Sequence, residues 1–522
     1  MSRSGGALGR SDDRSPRELV LVAAAIGVIL GAFPFIANAF AAHWGVHAVP
    51  KGDLSIIEWN VMQAARGDQI GGMYSRYGWS HLGPAYFYWL AAFYRLFGAA
   101  NGIWVGAAAL AALSLALSLQ AWRTLTSSPA LLLIWTLPVF GVTFLLVTSQ
   151  LDRFMWTPVV TVFPYLLLVS ASLAVARERW WWLSVALPVH SLLVQTHVAF
   201  LLAATATLGF GVAWGVAAFW RRERVLPRPK LAIAALHVAG LAALWLPIFV
   251  EVARPGGSNL SRVFRFFLAQ RLNGSFTSEA TRLLMQALSR PVEGLVQLVT
   301  AAPFGEATRC VVVIAATIAT VAALITSARR RSDKGLLLAS GASLQLVLAV
   351  VGMKGMVDQP LDYLLFWMSA AAVVPWLAGS YTLFEHLQEL RRSWIGPAAI
   401  ALVAVLATTA SARAWRLREP LRWHSDYSRG ARDIADLADA RMPPRSRVRI
   451  EGPEGESLSL AILLRRKGHR PVFPDRPGTK PPQFLLLITD EPREETNLGE
   501  WQGKVVELVT LNQPMDAQDN AG

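Results

Sequence analysis

Long uncharged apolar runs alternate with short basic segments along most of the chain. The runs fall at about 19–42, 103–122, 129–149, 154–176, 180–196, 198–220, 231–250, 307–327, 335–353, 361–384 and 394–412. About 20 apolar residues are needed for a helix to cross the hydrocarbon core. The pattern therefore predicts an all-α polytopic membrane protein with about eleven transmembrane helices.

One further apolar stretch, Leu82–Phe97, differs from these runs. It is short, contains Arg95 and is rich in tyrosine and tryptophan. We predict an interfacial or re-entrant helix on the outer face, which does not cross the membrane.

Basic residues predict the orientation, because lysine and arginine concentrate in cytoplasmic connections. Arginines precede the first run, and others occupy alternate connections at Arg123, Arg177–Arg179, Arg221–Lys230, Arg329–Lys334 and Arg391–Arg392. With eleven spans these all lie on one side. The expected protein is multi-pass in the cytoplasmic membrane of a bacterium, with its N-terminus inside and its C-terminus outside.

This topology divides the chain into three parts. Residues 1–18 form a basic, disordered cytoplasmic segment, and residues 19–412 form the transmembrane domain with outer loops at 43–102 and 251–306. Residues 413–522 are more polar and proline-rich and are predicted to form a small extracytoplasmic α/β domain. Its predicted elements are helices from Ser428 to Met442 and at Ser457–Lys467, and strands at Arg447–Ile450, Phe484–Thr489 and Lys504–Thr510.

Composition excludes several classes of protein. The chain has 522 residues, of which 54% are hydrophobic and 16% charged, whereas soluble domains carry about 25% charged residues. The net charge of +14 is explained by the basic membrane connections, so no nucleic-acid partner is expected. The single cysteine, Cys310, excludes an internal disulfide and a cysteine-cluster zinc site.

Polar residues collect in the first outer loop, where function is expected in a membrane protein. Lys51-Gly52-Asp53 follows the first span, and Glu58 lies on a predicted amphipathic helix, Ser55–Ala65. The motif His81-Leu82-Gly83-Pro84 then leads the aromatic stretch that ends at Phe97-Gly98. A further acid, Asp152, lies between two spans.

This layout resembles the GT-C superfamily of integral membrane glycosyltransferases, in particular the group of protein O-mannosyltransferases and lipid A aminoarabinose transferases. The resemblance covers roughly the first 200 residues, and the rest only as topology. Two positions depart from the family pattern. Leu54 follows Asp53 where many members have a second acid, and Leu82 stands where a proline is common.

The resemblance implies a sugar transfer from a polyprenyl-phosphate donor to an extracytoplasmic glycan, lipid or protein acceptor, with inversion. Asp53 would be the general base, with Glu58 and Asp152 as the other catalytic candidates. Because Asp53 lacks an adjacent acid, no metal and no cofactor are expected, although a divalent cation is left open. Membrane lipid is the other partner.

The remaining candidates would bind the substrates. The residues predicted for the donor phosphate are Arg76, His81, Arg262, Arg265 and Lys354, and those predicted for substrate binding are Trp79, Gln195, His197 and Asn259. Competing explanations stand beside each: a helix-capping carboxylate for Asp53, an interfacial amphipathic helix for the two arginines, helix–helix hydrogen bonding for Gln195 and His197, and an aromatic belt for Trp79.

Two other functions remain open. A transporter or flippase of a lipid-linked or amphipathic substrate would suit the helix count, but the chain shows no matching pair of broken helices in two halves. A polymerase or ligase of surface polysaccharide would use the same kind of donor.

Overall fold

The computed structural model describes residues 52–75, 77–126, 128–149, 154–221, 231–253, 258–269, 277–356, 360–388, 409, 423–451, 454–472, 484–489, 497–501 and 504–510. The helices up to residue 252 are α1 Asp53–Ala64, α2 Ala85–Leu125, α3 Pro129–Ser149, α4 Thr157–Val160, α5 Val162–Ala176, α6 Leu183–Thr196, α7 Phe200–Arg221 and α8 Leu231–Val252. Those that follow are α9 Asn259–Ala269, α10 Ser278–Thr300, α11 Glu306–Arg330, α12 Asp333–Lys354, α13 Phe366–Ala371, α14 Val373–Gln388, α15 Trp423–Arg441 and α16 Glu454–Arg466. Short 3₁₀ turns at Trp180–Trp182 and Asp362–Leu365 lead into α6 and α13.

Seven helical segments are long and apolar enough to cross a membrane. They are Asn101–Leu125, Thr157–Ala176, Phe200–Arg221, Ala235–Val252, Glu306–Arg330, Asp333–Lys354 and Asp362–His386. Each coincides with a predicted span, so the polytopic membrane class is confirmed. Two more predicted spans, 129–149 and 180–196, form helices with shorter apolar segments. The apolar segment of α3 is Leu131–Leu146, and α6 has 14 residues. The predicted N-terminal segment 1–18 and the predicted span at 19–42 lie outside the described residues, as does the predicted span at 394–412 except for residue 409.

The spans differ in what surrounds them. Thr157–Ala176 is completely buried at the centre of the bundle, whereas only 6% of Ala235–Val252 is buried. Large side chains on α8, such as Leu236 and Leu246, are exposed. An exposed apolar surface of this extent is expected where lipid replaces water.

Buried hydrogen bonds join the central span to its neighbours. The Tyr165 hydroxyl on α5 donates to Gln345 Oε1 on α12 at 2.7 Å, and Gln345 Nε2 donates to Thr207 Oγ1 on α7 at 3.0 Å. Polar side chains of this kind satisfy one another between helices in an apolar environment.

The segment predicted to be interfacial forms the first part of α2. The helix breaks at Gly98, whose φ of 75° is a left-handed conformation that favours glycine. The chain then turns back on itself, since a Cβ at Gly102 would lie 2.4 Å from the Tyr94 Cα, and Trp89 Nε1 donates to the Gly106 carbonyl at 2.8 Å. The stretch up to Phe97 is therefore one arm of a helical hairpin.

The second predicted outer loop contains two helices, α9 and α10. Helix α10 packs against α3 at very short range, because a Cβ on Gly294 would lie 2.0 Å from the Gly141 carbonyl oxygen. Two charged residues of α10 are buried in ion pairs, Arg290 with Asp362 at 2.7 Å and Glu293 with Arg309 at 2.9 Å. These charges interrupt the apolar pattern and explain why the sequence did not predict α10, whereas the amphipathic helix predicted around Arg262 and Arg265 is present as α9.

The C-terminal part forms a five-stranded sheet with two helices, α15 and α16. The strands are β3 Arg447–Glu451, β4 Arg470–Val472, β5 Phe484–Thr489, β6 Asn497–Trp501 and β7 Lys504–Thr510 in the order β4-β3-β5-β7-β6. Strand β3 is parallel to β4 and β5, and β7 is antiparallel to β5 and β6. The alternating inward side chains, among them Val448 and Leu486, pack beneath the helices.

The predicted α/β composition of this region is confirmed, and strands β5 and β7 have the predicted bounds. The helix predicted to begin at Ser428 begins at Trp423, so that start was wrong. The short strands β4 and β6 were missed. Strand β4 has only three residues and one of them is Pro471, which gives a weak strand pattern.

Candidate functional site

The first acidic candidate, Asp53, opens helix α1. Gly52 precedes it with a φ of 58°, a left-handed conformation that a glycine adopts without strain. The Asp53 carboxylate is exposed, and its Oδ2 accepts a hydrogen bond from the Trp156 indole nitrogen at 3.0 Å. The first loop and the segment before α4 therefore meet at this carboxylate, 103 residues apart in the sequence.

The same tryptophan connects Asp53 to a third part of the chain. Its ring lies 4.8 Å from that of Tyr363. The neighbouring Asp362 accepts from Arg290 at 2.7 Å, and Arg290 also donates to Ser369 Oγ at 3.2 Å. A buried cation of α10 thus anchors the turn that carries Tyr363. We define Asp53, Trp156 and Tyr363 as the carboxylate cluster.

The second acidic candidate, Glu58, is held in an ion pair. Its side chain is 4% exposed and accepts from Arg466 of α16, with 3.0 Å between Arg466 Nε and Glu58 Oε1. The Tyr94 hydroxyl donates to the same oxygen at 3.2 Å. Burial and the charge of Glu58 raise the pKa of Tyr94. Burial by itself lowers the pKa of Arg466, but the charge and hydrogen bonds of Glu58 raise it overall.

Two predicted histidines meet where the first loop crosses the turn between α6 and α7. The rings of His81 and His197 are in contact, with centroids 4.3 Å apart and an interplanar angle of 34°. The Gly83 amide donates to the Gln195 carbonyl at 3.1 Å, and the Val198 amide donates to His81 Nδ1 at 3.3 Å. We define His81, Gln195 and His197 as the histidine cluster.

Trp79 and Asn259 lie beside this cluster. The short strands β1 (Tyr74–Ser75) and β2 (Trp79–Ser80) pair in the first loop. The Ser80 amide donates to Asn259 Oδ1 at 2.7 Å and Asn259 Nδ2 donates to the Ser80 carbonyl at 2.6 Å. Asn259 therefore attaches α9 to the loop, which is a structural function for a residue predicted to bind substrate. The Trp79 ring packs against Phe266 of α9, with centroids 5.6 Å apart.

The cationic candidates are distributed over the same region. Arg262 and Arg265 are exposed on α9, and Lys354 is exposed at the end of α12. Arg265 Nε donates within its own helix to the Ser261 carbonyl at 3.3 Å. Arg76 and Asp152 lie outside the described residues.

A single hydrogen bond relates the two clusters. The Tyr86 hydroxyl donates to the Met155 carbonyl at 2.7 Å. Tyr86 follows His81 by five residues, and Met155 precedes Trp156 of the carboxylate cluster. The segment that carries His81 therefore adjoins the segment that carries Trp156.

Sequence reasoning missed Trp156, Arg290 and Arg466 as neighbours of the candidate site. Trp156 was one of 20 tryptophans, and nothing local distinguishes it. Arg290 in a predicted loop was a signal that could have been used, since a charge beside a helical pattern often marks a buried pair. Within the described ranges no group of three or more His, Cys, Asp or Glu side chains could hold a metal ion, and metal dependence stays a prediction.

Comparison with known proteins relates the chain to one solved fold. No protein-family model and no curated protein matches it. The crystal structure of ArnT from Cupriavidus metallidurans in the apo state aligns over 93% of this chain and 98% of that chain, with 12% sequence identity and a TM-score of 0.53. The structure of ArnT bound to undecaprenyl phosphate aligns over 95% and 98%, with 13% identity and a TM-score of 0.49. The apo comparison shows that the chain shares the fold of ArnT over nearly its whole length, which agrees with the predicted polytopic fold.

Proposed function

We propose that the protein transfers a sugar from a polyprenyl-phosphate donor to an extracytoplasmic acceptor, with Asp53 as the general base. The observation that carries this proposal is the exposure and the hydrogen bonding of the Asp53 carboxylate. It is exposed at the start of α1, with Oδ2 held by Trp156 Nε1 at 3.0 Å. Among the described residues, the second carboxylate oxygen has no hydrogen-bond partner. That oxygen is available to take a proton.

The proposed step is a single displacement. The acceptor hydroxyl oxygen forms a bond to the anomeric carbon while its proton passes to Asp53. The bond from the anomeric carbon to the phosphate oxygen breaks, and polyprenyl phosphate leaves with the electron pair, so the anomeric configuration inverts. A general base must lie within hydrogen-bond reach of the proton that it takes, which is why a carboxylate with one open oxygen suits the step.

Trp156 would orient this base. A carboxylate held at one oxygen keeps the other in a defined direction, and the packing of the Trp156 ring on Tyr363 limits the movement of the indole. Arg290 is buried beneath the same turn and holds it through its ion pair with Asp362, the neighbour of Tyr363.

Exposed cations on one amphipathic helix support a phosphate-bearing donor. Arg262 and Arg265 of α9 are exposed together with the apolar side chains Phe264 and Leu268. A helix with both features lies at the boundary between lipid and water, where the phosphate of a lipid-linked donor also lies. Arginine offers a planar fork of donors that matches phosphate. Lys354 is a further candidate for binding the phosphate of the donor.

The donor class is supported by the fold together with the motifs of the first loop. The chain shares the fold of ArnT over nearly its whole length, and the motif residues Asp53 and His81 lie on adjoining segments of that fold. Neither feature identifies the sugar or the acceptor.

Glu58 has a positioning function in this proposal. A buried carboxylate already paired with an arginine and a tyrosine hydroxyl is poorly placed to exchange protons with a substrate. Asp152 is kept as the alternative base.

The test follows release of polyprenyl phosphate by purified protein from a panel of polyprenyl-phosphate sugars, each with candidate acceptors. Asp53→Asn keeps the shape of the side chain but removes the base, and Trp156→Phe keeps the ring but removes its N–H. Asp68→Asn is the matched control, since Asp68 is an exposed acid of the same loop. We expect Asp53→Asn to lose at least about 100-fold in kcat, in line with general-base catalysis, Trp156→Phe to lose less, and Asp68→Asn to match wild type.

Each other outcome has a definite meaning. Equal release by wild type and by a folded Asp53→Asn variant would contradict Asp53 as the base and direct attention to Asp152. No release from any donor with any acceptor would contradict the transferase and favour a transporter or flippase.

A further inference from the structure

In both His81 and His197, the ring nitrogen Nδ1 accepts a hydrogen bond from a backbone amide. The Val198 amide donates to His81 Nδ1 at 3.3 Å, and the Ala199 amide donates to His197 Nδ1 at 3.2 Å. A ring nitrogen that accepts a hydrogen bond carries no proton. The proton of each neutral ring must therefore be on Nε2.

Both rings are neutral at physiological pH. Burial, and then the neighbouring His197, lower the pKa of His81 well below its usual value. Burial lowers the pKa of His197 to about 4. Two imidazoles with centroids 4.3 Å apart would repel each other if both were charged, so the geometry and the pKa shifts agree.

The two Nε2–H groups are donors without acceptors. Among the described residues, neither His81 Nε2 nor His197 Nε2 has a hydrogen-bond partner. Two further polar atoms close by are buried and unpartnered, Gln195 Oε1 and Trp79 Nε1. Buried polar groups are nearly always hydrogen-bonded. The Nε2 atoms of His81 and His197 are not among these enclosed atoms, so their N–H groups are open to a ligand.

We propose that the His81–His197 pair binds the sugar of the substrate, with the two Nε2–H groups donating to its oxygen atoms. This inference rests on the proposed function, in which the donor carries a sugar. It assigns the histidine cluster to the sugar and leaves the phosphate to the cations of α9.

Uncharged N–H donors favour a sugar over a phosphate. A hydroxyl group both donates and accepts hydrogen bonds, whereas an ionised phosphate only accepts and is preferentially bound by arginine. The cluster also lies close to a carboxylate, because Glu251 Oε1 accepts from the Asn259 amide at 2.6 Å and Asn259 is bonded to Ser80. A neutral sugar ring tolerates a nearby negative charge.

Aromatic side chains form the remaining surroundings. The Trp79 ring lies edge-on to His81 with centroids 5.4 Å apart, and Phe267 lies 5.9 Å from Trp79. Apolar and aromatic walls with a few placed polar groups are typical of small-molecule sites.

The experiment uses two substitutions that separate the ring nitrogens. In His197→Asn the amide oxygen can still accept from the Ala199 amide, but the Nε2–H donor is lost. In His197→Gln the terminal amide N–H can replace the Nε2–H donor, but the acceptor at the Nδ1 position is lost. The same pair of substitutions is made at His81, and thermal unfolding of each variant in detergent checks that it is folded.

The affinities are measured for polyprenyl phosphate, for polyprenyl phosphate carrying a hexose or a pentose, and for the corresponding methyl glycosides by saturation-transfer NMR. We expect each Asn variant to weaken binding of the sugar-bearing lipid about three- to tenfold, the usual effect of one hydrogen bond. Binding of polyprenyl phosphate alone should not change. The Gln variants should retain most of the affinity for the sugar-bearing lipid.

Three results separate this inference from the proposed function. The sugar site alone would be overturned if the Asn variants lost affinity equally for polyprenyl phosphate and for its glycosylated form. It would also be overturned if the Gln variants bound the sugar-bearing lipid as weakly as the Asn variants do. Histidine-dependent binding of methyl glycosides without binding of any lipid-linked donor would support the sugar site and contradict the proposed function. An absence of binding by every sugar-bearing probe would overturn both.

Discussion

Glu58 and Arg466 lie 408 residues apart in the sequence and form a buried ion pair between helix α1 and helix α16. Around this pair, Ser55 Oγ lies 3.4 Å from Ser459 Oγ, and the Arg465 guanidinium lies 4.4 Å from the centre of the Trp59 ring. The C-terminal domain therefore holds the helix whose first residue is Asp53. A domain that could have been a separate module contributes to the placement of the proposed base.

Loss of this ion pair should lower the rate without removing the catalytic group. Breaking a buried pair leaves an uncompensated charge and costs about 3–5 kcal/mol. We expect Arg466→Met to lower kcat and the unfolding temperature, and the exchange of charges in Glu58→Arg with Arg466→Glu to recover part of both. Glu279→Gln, which removes an exposed ion pair with Arg282 on α10, is the matched control and should leave both quantities unchanged.

The contact between the domains can be tested independently of activity. In a Cys310→Ser background, which has no other cysteine, Ser55→Cys and Ser459→Cys should form a disulfide, because their side chains meet. Failure to cross-link under oxidising conditions would contradict the docking of the domain on α1.

Removal of the α9 cations should weaken donor binding. Arg262→Ala combined with Arg265→Ala removes two exposed positive charges from one amphipathic helix, and we expect about tenfold weaker binding of polyprenyl phosphate. The salt dependence of binding should also decrease, because exposed charges are screened. Arg282→Ala is the control, and an unchanged affinity in the double variant would remove both arginines from the site.

The histidine cluster predicts a pH dependence of stability. In the unfolded chain each histidine has a pKa of about 6.5, whereas in the folded protein the pKa of His197 is lowered to about 4 and that of His81 is lowered as well. Between these values the unfolded state binds more protons than the folded state, so stability falls as the pH falls from about 6.5 towards 4 and is constant above 6.5.

The measurement is the unfolding temperature in detergent between pH 8 and pH 4.5. The double variant His81→Asn with His197→Asn should lose stability less steeply over this interval than wild type, since carboxylates contribute equally to both proteins. Identical slopes would contradict the buried neutral state of the pair.

The orientation of the chain is tested by a reporter fused after Gly522. The distribution of lysine and arginine predicts an extracytoplasmic C-terminus, and the contact of α16 with α1 requires the C-terminal domain and the first loop to lie on the same side. Activity of an alkaline phosphatase fusion, with a cytoplasmic reporter at the N-terminus, should show this arrangement. A cytoplasmic signal from the C-terminal fusion would contradict both the number of spans and the side on which the site lies.

The sequence by itself determined the membrane class, most of the spans and two strands of the C-terminal sheet. These depend on local properties: apolar runs of sufficient length, and alternation of inward and outward side chains over a few residues. Asp53 and His81 could be selected for the same reason, since each is a polar residue beside an apolar run within a short motif.

Only the tertiary structure decided which polar groups meet. Trp156 reaches Asp53 across 103 residues and Arg466 reaches Glu58 across 408, and no local pattern encodes either pair. The same holds for α10, where Arg290 and Glu293 are buried because Asp362 and Arg309 are supplied by other helices. A charge is placed in the interior only when its partner is present, and the partner is determined by the packing of the whole bundle.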